Sequence, residues 1–518
     1  MIGLGGRDGP PWLSISRTRT EPATAISQAL PRGATFGLAV AAGVVVAFSL
    51  PPFGWWPLGV LGLAGFAFLL GDTTSAGARA AVGAGVGLGQ YVIGLWWVTE
   101  FNVAGYLALV VHGVACTALA AWLVPTRRRW GIVIGLPAAL VAADWLRGHF
   151  PFGGLPLGGT ALGQAAGPLV PAARLGGTLL VTGVTALAGA ALAELARRRG
   201  SLRALVAIGL VVIIVAVGRV GPNGGPASAP LRVAVVQGGG PRGLHAVNTD
   251  PEVVFQRQLA ASDALQPPLD LVLWPEDVLH VDRPVDQTPE GAQVAALARR
   301  LRTTVVVGVV EDVGADRFRN AAVAWGPEGT IVARYDKVHR VPFGEYVPGR
   351  SLVQHLANLN LVPRDAIPGQ GPGLLLTPAG PLGVVISYEV FFEDRARAAI
   401  RAGGEVLLVP TNASSYRTSQ VPTQEVAAAQ LRAWETGRDT VQAAPTGYGA
   451  LIDHDGQVRA RTTLGAQQVL TGTVGRRNGR TVFDRLGDIP LLLLSLGGLL
   501  AASWRWRRPV AFFPSSMF

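Results

Sequence analysis

This chain contains eight apolar stretches, seven before residue 221 and one after residue 485. A helix needs about 20 apolar residues, within a range of roughly 17–25, to cross a hydrocarbon core of about 30 Å. Most of the stretches have this length, and they lie at 34–50, 57–71, 79–98, 103–124, 130–147, 172–193, 203–219 and 489–504. The pattern predicts a tail at 1–33, a seven-span domain at 34–220, and an eighth span with a second tail at 486–518.

The remaining block, 221–485, has a different pattern. It opens with a linker at 221–226 that is too rich in Gly and Pro for a helix or strand. Short apolar runs follow, at 231–237, 270–274, 303–310, 320–325, 331–334, 382–387, 405–410 and 440–444. Helical stretches lie between several of them, at 290–302, 393–402 and 422–437. This alternation predicts one α/β domain whose helices cover its sheets, with hairpin turns at 326–329 and 453–456.

Composition supports a membrane protein. The mean hydropathy is +0.37, with 49% hydrophobic and only 15% charged residues, which is too apolar for a soluble chain of 518 residues. The net charge of +11 comes largely from arginines beside apolar stretches, and such clusters mark cytoplasmic loops rather than a nucleic-acid surface. They are Arg79, Arg127–Arg129, Arg197–Arg199, Arg203, Arg505, Arg507 and Arg508. They predict a multi-pass protein of the cell membrane with both termini cytoplasmic and block 221–485 on the outer face.

Other chemistries are excluded by the residues available. The single cysteine, Cys116, lies in an apolar stretch, so that no disulfide can form within the chain. The histidines are scattered without metal-ligand spacing, and we expect neither a metal nor a cofactor. Glycines at 83, 85, 87 and 89 lie inside a span with no preceding strand, which favours close helix packing over a nucleotide loop. Asp144 and Arg147 in the fifth span indicate either a structural pair or contact with lipid headgroups.

Three polar residues follow apolar runs in the outer block. Glu276 follows 271–275, Lys337 comes three residues after the run 331–334, and Ser387 follows 382–386. Each alone is more often a solvated charge or a buried hydroxyl. Together they supply a base, a positive group for a developing oxyanion, and a nucleophile, which acyl transfer through an acyl-enzyme requires. The attachment to a membrane bundle indicates a lipidic acyl group.

These segments also carry a resemblance. The motifs Trp274-Pro275-Glu276, Tyr335-Asp336-Lys337, 341–348 and Ser387-Tyr388-Glu389 resemble those of the nitrilase superfamily with its Glu–Lys–Cys triad. Eight spans with an external nitrilase-like domain resemble the bacterial apolipoprotein N-acyltransferases over about residues 35–505. The resemblance implies an α-β-β-α sandwich and no cofactor. It implies transfer of an acyl chain from a phospholipid to the α-amine of the diacylglyceryl-cysteine that begins a lipoprotein.

The resemblance assigns roles to individual residues. It makes Glu276 the general base, Lys337 the oxyanion-stabilising cation and Ser387 the nucleophile, with Glu345, Tyr388 and Glu389 supporting the site or binding substrate. Ser387 stands where the family has cysteine, and a hydroxyl ionises far less readily than a thiol of pKa about 8.5. Two alternatives therefore stay open. One is a catalytically silent homologue that binds lipid or lipoprotein, and the other is an amidase or acyltransferase with a different substrate.

Overall fold

The computed structural model describes residues 31–243, 248–355, 359–360 and 362–504. Within them, each predicted apolar stretch forms a helix. The helices are α1 (Arg32–Ala47), α2 (Trp56–Gly71), α3 (Ala76–Gly94), α4 (Val103–Leu123), α5 (Gly131–His149), α6 (Ala173–Arg197), α7 (Leu202–Val220) and α14 (Ile489–Ser503). Residues 1–30 of the predicted tail at 1–33, and residues 505–518 with the arginines of the second tail, lie outside the described residues.

Length and hydropathy separate these helices into groups. Helices α4, α5, α7 and the segment Val170–Arg197, which contains α6, are long and apolar enough to cross a membrane. Helices α1, α2 and α14 are apolar but shorter than 18 residues. Helix α3 has 19 residues and carries Arg79 in its first turn. The structure thus supports membrane-spanning capacity, while the number of eight spans stays a prediction.

Glycines let helix α3 pack closely on its neighbours. A Cβ at Gly89 would lie 2.1 Å from the carbonyl oxygen of Val40 on α1. A Cβ at Gly83 would lie 2.5 Å from the carbonyl oxygen of Thr117 on α4. Any side chain at either position would force the backbones apart, so the glycines serve helix packing as the sequence indicated.

Arg147 and Asp144 of α5 form a buried ion pair, with Nη2 3.1 Å from Oδ1. Thr182 of α6 donates to the other carboxylate oxygen of Asp144 at 2.8 Å. Nη1 of Arg147 donates to the carbonyl oxygens of Leu155 and Leu157 at 3.1 and 2.6 Å. Arg147 therefore holds the loop after α5 and, at 4% exposure, is not placed to contact a lipid headgroup.

The described part of residues 221–485 contains two sheets. The first has eight strands: β1 (Ala229–Gln237), β2 (Leu271–Leu273), β3 (Leu279–Val281), β4 (Thr304–Val313), β5 (Arg317–Trp325), β6 (Ile331–Asp336), β7 (Asp365–Ala366) and β14 (Gln468–Arg476). Its main path runs β14-β1-β2-β4-β5-β6. The second has six strands in the order β13-β12-β11-β10-β9-β8. They are β8 (Leu374–Thr377), β9 (Gly380–Val384), β10 (Val406–Pro410), β11 (Thr440–Ala443), β12 (Ala450–Ile452) and β13 (Val458–Arg461).

Helices cover both outer faces of the paired sheets. An apolar core between the sheets includes Val235, Leu273, Val384 and Leu408. Helices α8 (Pro251–Ser262) and α9 (Pro289–Leu301) cover the first sheet. Helices α11 (Glu393–Arg401) and α12 (Gln420–Thr436) cover the second, while α10 (Arg350–Val353) and α13 (Val482–Leu486) are short. This is the predicted α-β-β-α sandwich, and the turns at 326–329 and 453–456 join antiparallel strands as expected.

Helix α12 is shared between the sandwich and the helical bundle. Gln424 donates to the carbonyl oxygen of Gly94, at the end of α3, at 2.9 Å. Gln420 donates to the carbonyl oxygen of Ile93 at 2.8 Å. One apolar core runs from Leu50 and Tyr91 in the bundle to Trp434 in the sandwich. The two parts thus pack directly against each other.

Candidate active site

The ends of three strands bring the predicted catalytic residues together. Glu276 follows β2, Lys337 follows β6 and Ser387 follows β9. Ser387 begins a 3-10 turn with φ of +50°, a conformation that is uncommon for residues other than glycine. This conformation reverses the chain sharply and presents the Ser387 hydroxyl at the end of β9. Ser387 therefore occupies a position typical of nucleophiles.

Lys337 lies between two carboxylates. Its Nζ is 2.8 Å from Oε1 of Glu276 and 2.8 Å from Oε1 of Glu345. Asn320 of β5 bridges the same two oxygens, with Nδ2 2.8 Å from Glu276 and 2.9 Å from Glu345. The backbone N–H of Val341 donates to the other oxygen of Glu345 at 2.7 Å. The ammonium is therefore held in place by two carboxylates, and such preorganisation is what stabilisation of a developing oxyanion requires.

Burial and charge set the protonation states of this cluster. Desolvation lowers the pKa of Lys337, but the adjacent Glu276 and Glu345 outweigh it, so the net pKa is raised and the amine stays charged. Desolvation raises the pKa of Glu276, and Glu345 adds to the effect against the opposing charge of Lys337. The hydrogen bonds that Lys337 and Asn320 donate to Glu276 both go to Oε1, so neither donor occupies Oε2.

Glu389 and Tyr388 have different surroundings from one another. Glu389 is fully buried and does not line the cavity of the site. Its carboxylate accepts hydrogen bonds from the Tyr335 hydroxyl and from the backbone N–H groups of Val338, His339 and Ile386. Glu389 thereby joins the segment that follows Lys337 to the 3-10 turn that begins at Ser387. Tyr388 lines the cavity and donates to the carbonyl oxygen of Gly154 at 3.1 Å.

Four further polar residues were not singled out from the sequence. They are Asn320, Asp277, Thr411 and Glu425. Asp277 follows Glu276 with φ of +56°, and burial, with Glu276 and Glu345 nearby, raises its pKa to about 7. Thr411 follows β10 directly, so the rule that polar residues cluster at strand ends could have identified it. Glu425 lies within helix α12, where no sequence signal distinguishes it.

A cavity of about 400 Å³ connects this cluster to the helical bundle. The polar residues lie at one end, and most of the remaining wall is apolar or aromatic. The wall includes Leu109 and Gly105 of α4, Phe152 and Leu155 of the loop after α5, and Phe343 and Phe391 of the sandwich. The size is that of a typical small-molecule pocket, and the apolar wall suits a hydrocarbon chain better than a water-soluble substrate.

The fold and site together define a membrane-associated protein with a carbon–nitrogen hydrolase domain. The family model for carbon–nitrogen hydrolases matches residues 232–482, and the model for the apolipoprotein N-acyltransferase N-terminal domain matches residues 42–191. The chain belongs to the apolipoprotein N-acyltransferase family, a family of acyltransferases.

Individual relatives match along most of the chain. The apolipoprotein N-acyltransferase of Geobacter metallireducens is 29% identical over 93% of this chain and 96% of its own length. That of Allorhizobium ampelinum is 31% identical over 84% of this chain and 89% of its own. A solved nitrilase-superfamily protein of Saccharomyces cerevisiae covers 48% of this chain and 91% of its own, with 18% identity and a TM-score of 0.38.

Proposed function

We propose that this protein transfers a fatty acyl chain from a phospholipid to the N-terminal diacylglyceryl-cysteine amine of lipoproteins. The observation that carries the proposal is the continuity of one cavity from Ser387, Lys337 and Glu276 to the apolar face of α4. An acyl donor in the membrane reaches such a site without leaving an apolar environment. A hydrolase of soluble amides does not require a cavity wall formed by a membrane helix.

The proposed reaction has two halves. Ser387 attacks the ester carbonyl of the phospholipid, the glycerol oxygen leaves, and an acyl-serine forms. The lipoprotein amine then attacks the acyl-serine, which releases Ser387 and forms an amide. Lys337 stabilises the oxyanion in both halves, and Glu276 exchanges the protons. Glu345 supports Lys337, Glu389 positions the serine turn, and Tyr388 bounds the acyl chain.

We also propose eight spans with cytoplasmic termini and the sandwich outside. Basic residues gather at one end of the bundle, where Arg127 donates to the carbonyl oxygen of Thr74 and Arg197 contacts Asp72, both at distances of 2.7–2.8 Å. The sandwich packs on the opposite end. Lysine and arginine favour the cytoplasmic side. In a Cys116→Ser background, an impermeant thiol reagent should label Gly54→Cys from outside and Gly200→Cys only after permeabilisation.

Mass spectrometry of the full chain after incubation with phospholipid vesicles tests the chemistry. We expect an acyl adduct on Ser387 that is absent in Ser387→Ala and present in Ser351→Ala, which removes an exposed hydroxyl. Adding a diacylglyceryl-cysteine peptide should discharge the adduct. An adduct that forms only in Ser387→Cys would instead favour a silent homologue whose site is intact but whose nucleophile is lost. Discharge by water alone would favour a hydrolase.

A further inference from the structure

Ser387 has a buried hydroxyl neighbour, Thr411. Thr411 Oγ1 lies 3.3 Å from Ser387 Oγ and 2.5 Å from Oε1 of Glu425. Ser387, Thr411 and Glu425 are all buried, with exposures of 8%, 0% and 4%. The strands β9 and β10 are parallel neighbours, so the residues that follow them meet at the same edge. A backbone hydrogen bond of 2.8 Å from Thr411 N–H to Ala443 also holds this position.

The protonation state of Glu425 sets the direction of the hydrogen bonds from Ser387 through Thr411 to Glu425. A threonine hydroxyl has one proton, and an ionised carboxylate only accepts. When Glu425 is ionised, Thr411 donates to Glu425 and is left to accept from Ser387. By contrast, no hydrogen bond joins Glu276 to the Ser387 hydroxyl in the part of the chain that the structure describes. The hydrogen-bonded route from Ser387 to a carboxylate therefore leads through Thr411.

We propose that Thr411 is a catalytic residue and that Glu425, acting through it, takes the proton of Ser387 during acyl transfer. The inference rests on the proposed function and divides its proton transfers between two carboxylates. Glu425 is a positioning residue in that it reaches the serine only by way of Thr411. A serine nucleophile needs such help more than a thiol, because its hydroxyl ionises less readily.

The proton balance closes over both halves of the reaction. As the Ser387 oxygen bonds to the acyl carbon, its proton passes to Thr411 and the Thr411 proton passes to Glu425. The ester bond to glycerol breaks, and the leaving oxygen takes a proton from Oε2 of Glu276. In the second half, the amine nitrogen bonds to the acyl carbon and gives a proton to Glu276. The bond to Ser387 breaks, and its oxygen regains a proton from Glu425 through Thr411.

The surroundings of Glu425 make it a base at mildly alkaline pH. Burial raises its pKa to about 8, while the Thr411 hydrogen bond opposes this rise; the charge of Glu276 raises the pKa further and that of Lys337 lowers it. Besides Glu276 and Lys337, five titratable residues line this cavity together with Glu425. They are Tyr416, Asp277, Glu345, His112 and Tyr388. Oε2 of Glu425 has no hydrogen-bond partner among the described residues. We expect the rate of acylation to rise with pH through about 8.

The test measures the rate of adduct formation on Ser387 from phospholipid vesicles at several pH values, using the full chain. We expect Glu425→Gln and Thr411→Val to slow it about 100-fold, the typical scale of general-base catalysis, and Glu425→Gln to abolish the rise through pH 8. Thr411→Ser should restore most of the rate lost in Thr411→Val. Thr423→Val, which removes a hydroxyl two residues from Glu425, serves as the matched control and should leave the rate unchanged.

A cysteine at position 387 separates the proton relay from folding. Its thiol can ionise by itself, so adding Glu425→Gln to Ser387→Cys should change the acylation rate by less than about threefold, far below a general-base effect. If wild type is acylated and Glu425→Gln keeps its rate and pH profile, the inference is wrong while the proposed function stands. If wild type is not acylated but Ser387→Cys is, the inference and the proposed function are both wrong, since a proton relay that activates Ser387 must produce an adduct.

Discussion

The hydroxyl of Tyr388 donates a hydrogen bond to the carbonyl oxygen of Gly154 at 3.1 Å. The bond joins the residue after the proposed nucleophile to the loop between α5 and α6. That loop in turn is held by Arg147 through the carbonyl oxygens of Leu155 and Leu157. The turn of Ser387 and the cavity wall formed by the loop after α5 are thus connected. We therefore expect substitutions within the bundle to affect Ser387.

Removing the positive charge of Arg147 should therefore damage both stability and activity. Arg147→Met leaves Asp144 buried without its cation, which we expect to cost about 3–5 kcal/mol. The double variant Asp144→Asn/Arg147→Met should recover much of this, because no unpaired charge remains. Denaturant unfolding of wild type, Asp144→Asn, Arg147→Met and the double variant in detergent gives the coupling energy. Additive effects would contradict a direct interaction between the two side chains.

Lys337 should be essential to stability as well as to chemistry. Lys337→Met leaves Glu276 and Glu345 facing each other without a cation, and we expect a loss of about 3–5 kcal/mol together with loss of the acyl adduct. The control is Arg232→Met, which breaks a bidentate pair with Asp270 at the surface and should cost less than about 1 kcal/mol. Equal losses in the two variants would contradict the buried position of Lys337.

Asp277 should make the folded protein less stable as the pH rises. Burial raises its pKa to about 7, above the unfolded value of about 3.9, so the folded state binds this proton more tightly. The stabilisation is complete below pH of about 4 and is lost as the pH rises through 7. We expect Asp277→Asn to raise Tm relative to wild type at pH 8 and not at pH 4.

A suitable control for Asp277 is Asp282→Asn. Arg283, which donates to it, holds the pKa of Asp282 below its usual value at an exposed site. Its substitution should give no gain in Tm at pH 8. A gain in Asp282→Asn equal to that in Asp277→Asn would show that overall charge, rather than burial, produces the effect.

A side chain placed in the cavity should shorten the acyl chains that the protein accepts. Gly105 of α4 lines the cavity, and a Cβ there would meet no atom closer than 3.7 Å. Gly105→Phe should therefore fold and reduce adduct formation from long-chain donors at least about tenfold, while short-chain donors react normally. Gly209→Phe, on an open face of α7, is the matched control. The ratio of long-chain to short-chain adducts in a donor mixture measures the effect.

The sequence by itself determined most of the architecture, because periodicity and turn chemistry are local properties. Apolar stretches identified the helices of the bundle, and the runs between 231 and 444 identified strands β1, β2, β4, β5, β6, β9, β10 and β11. No run marked β3, β7, β8, β12 or β13. Strand β14 was missed, since its exposed and half-buried residues follow no clear alternation. It is placed by antiparallel pairing with β1, where Val233 faces Gly472, and a partner so distant in sequence has no local signature.

Some residues of the candidate site can be recognised in the sequence, whereas their contacts cannot. Glu276, Lys337 and Ser387 are recognisable in the sequence because each follows a strand or belongs to a motif. Only the tertiary structure decided which groups meet them. It placed Asn320 between two glutamates, buried Glu389 behind the site, and brought Glu425 of α12 to Thr411. It also paired Arg147 with Asp144. Burial and distance between remote segments determine these contacts, and neither can be read from the order of residues along the chain.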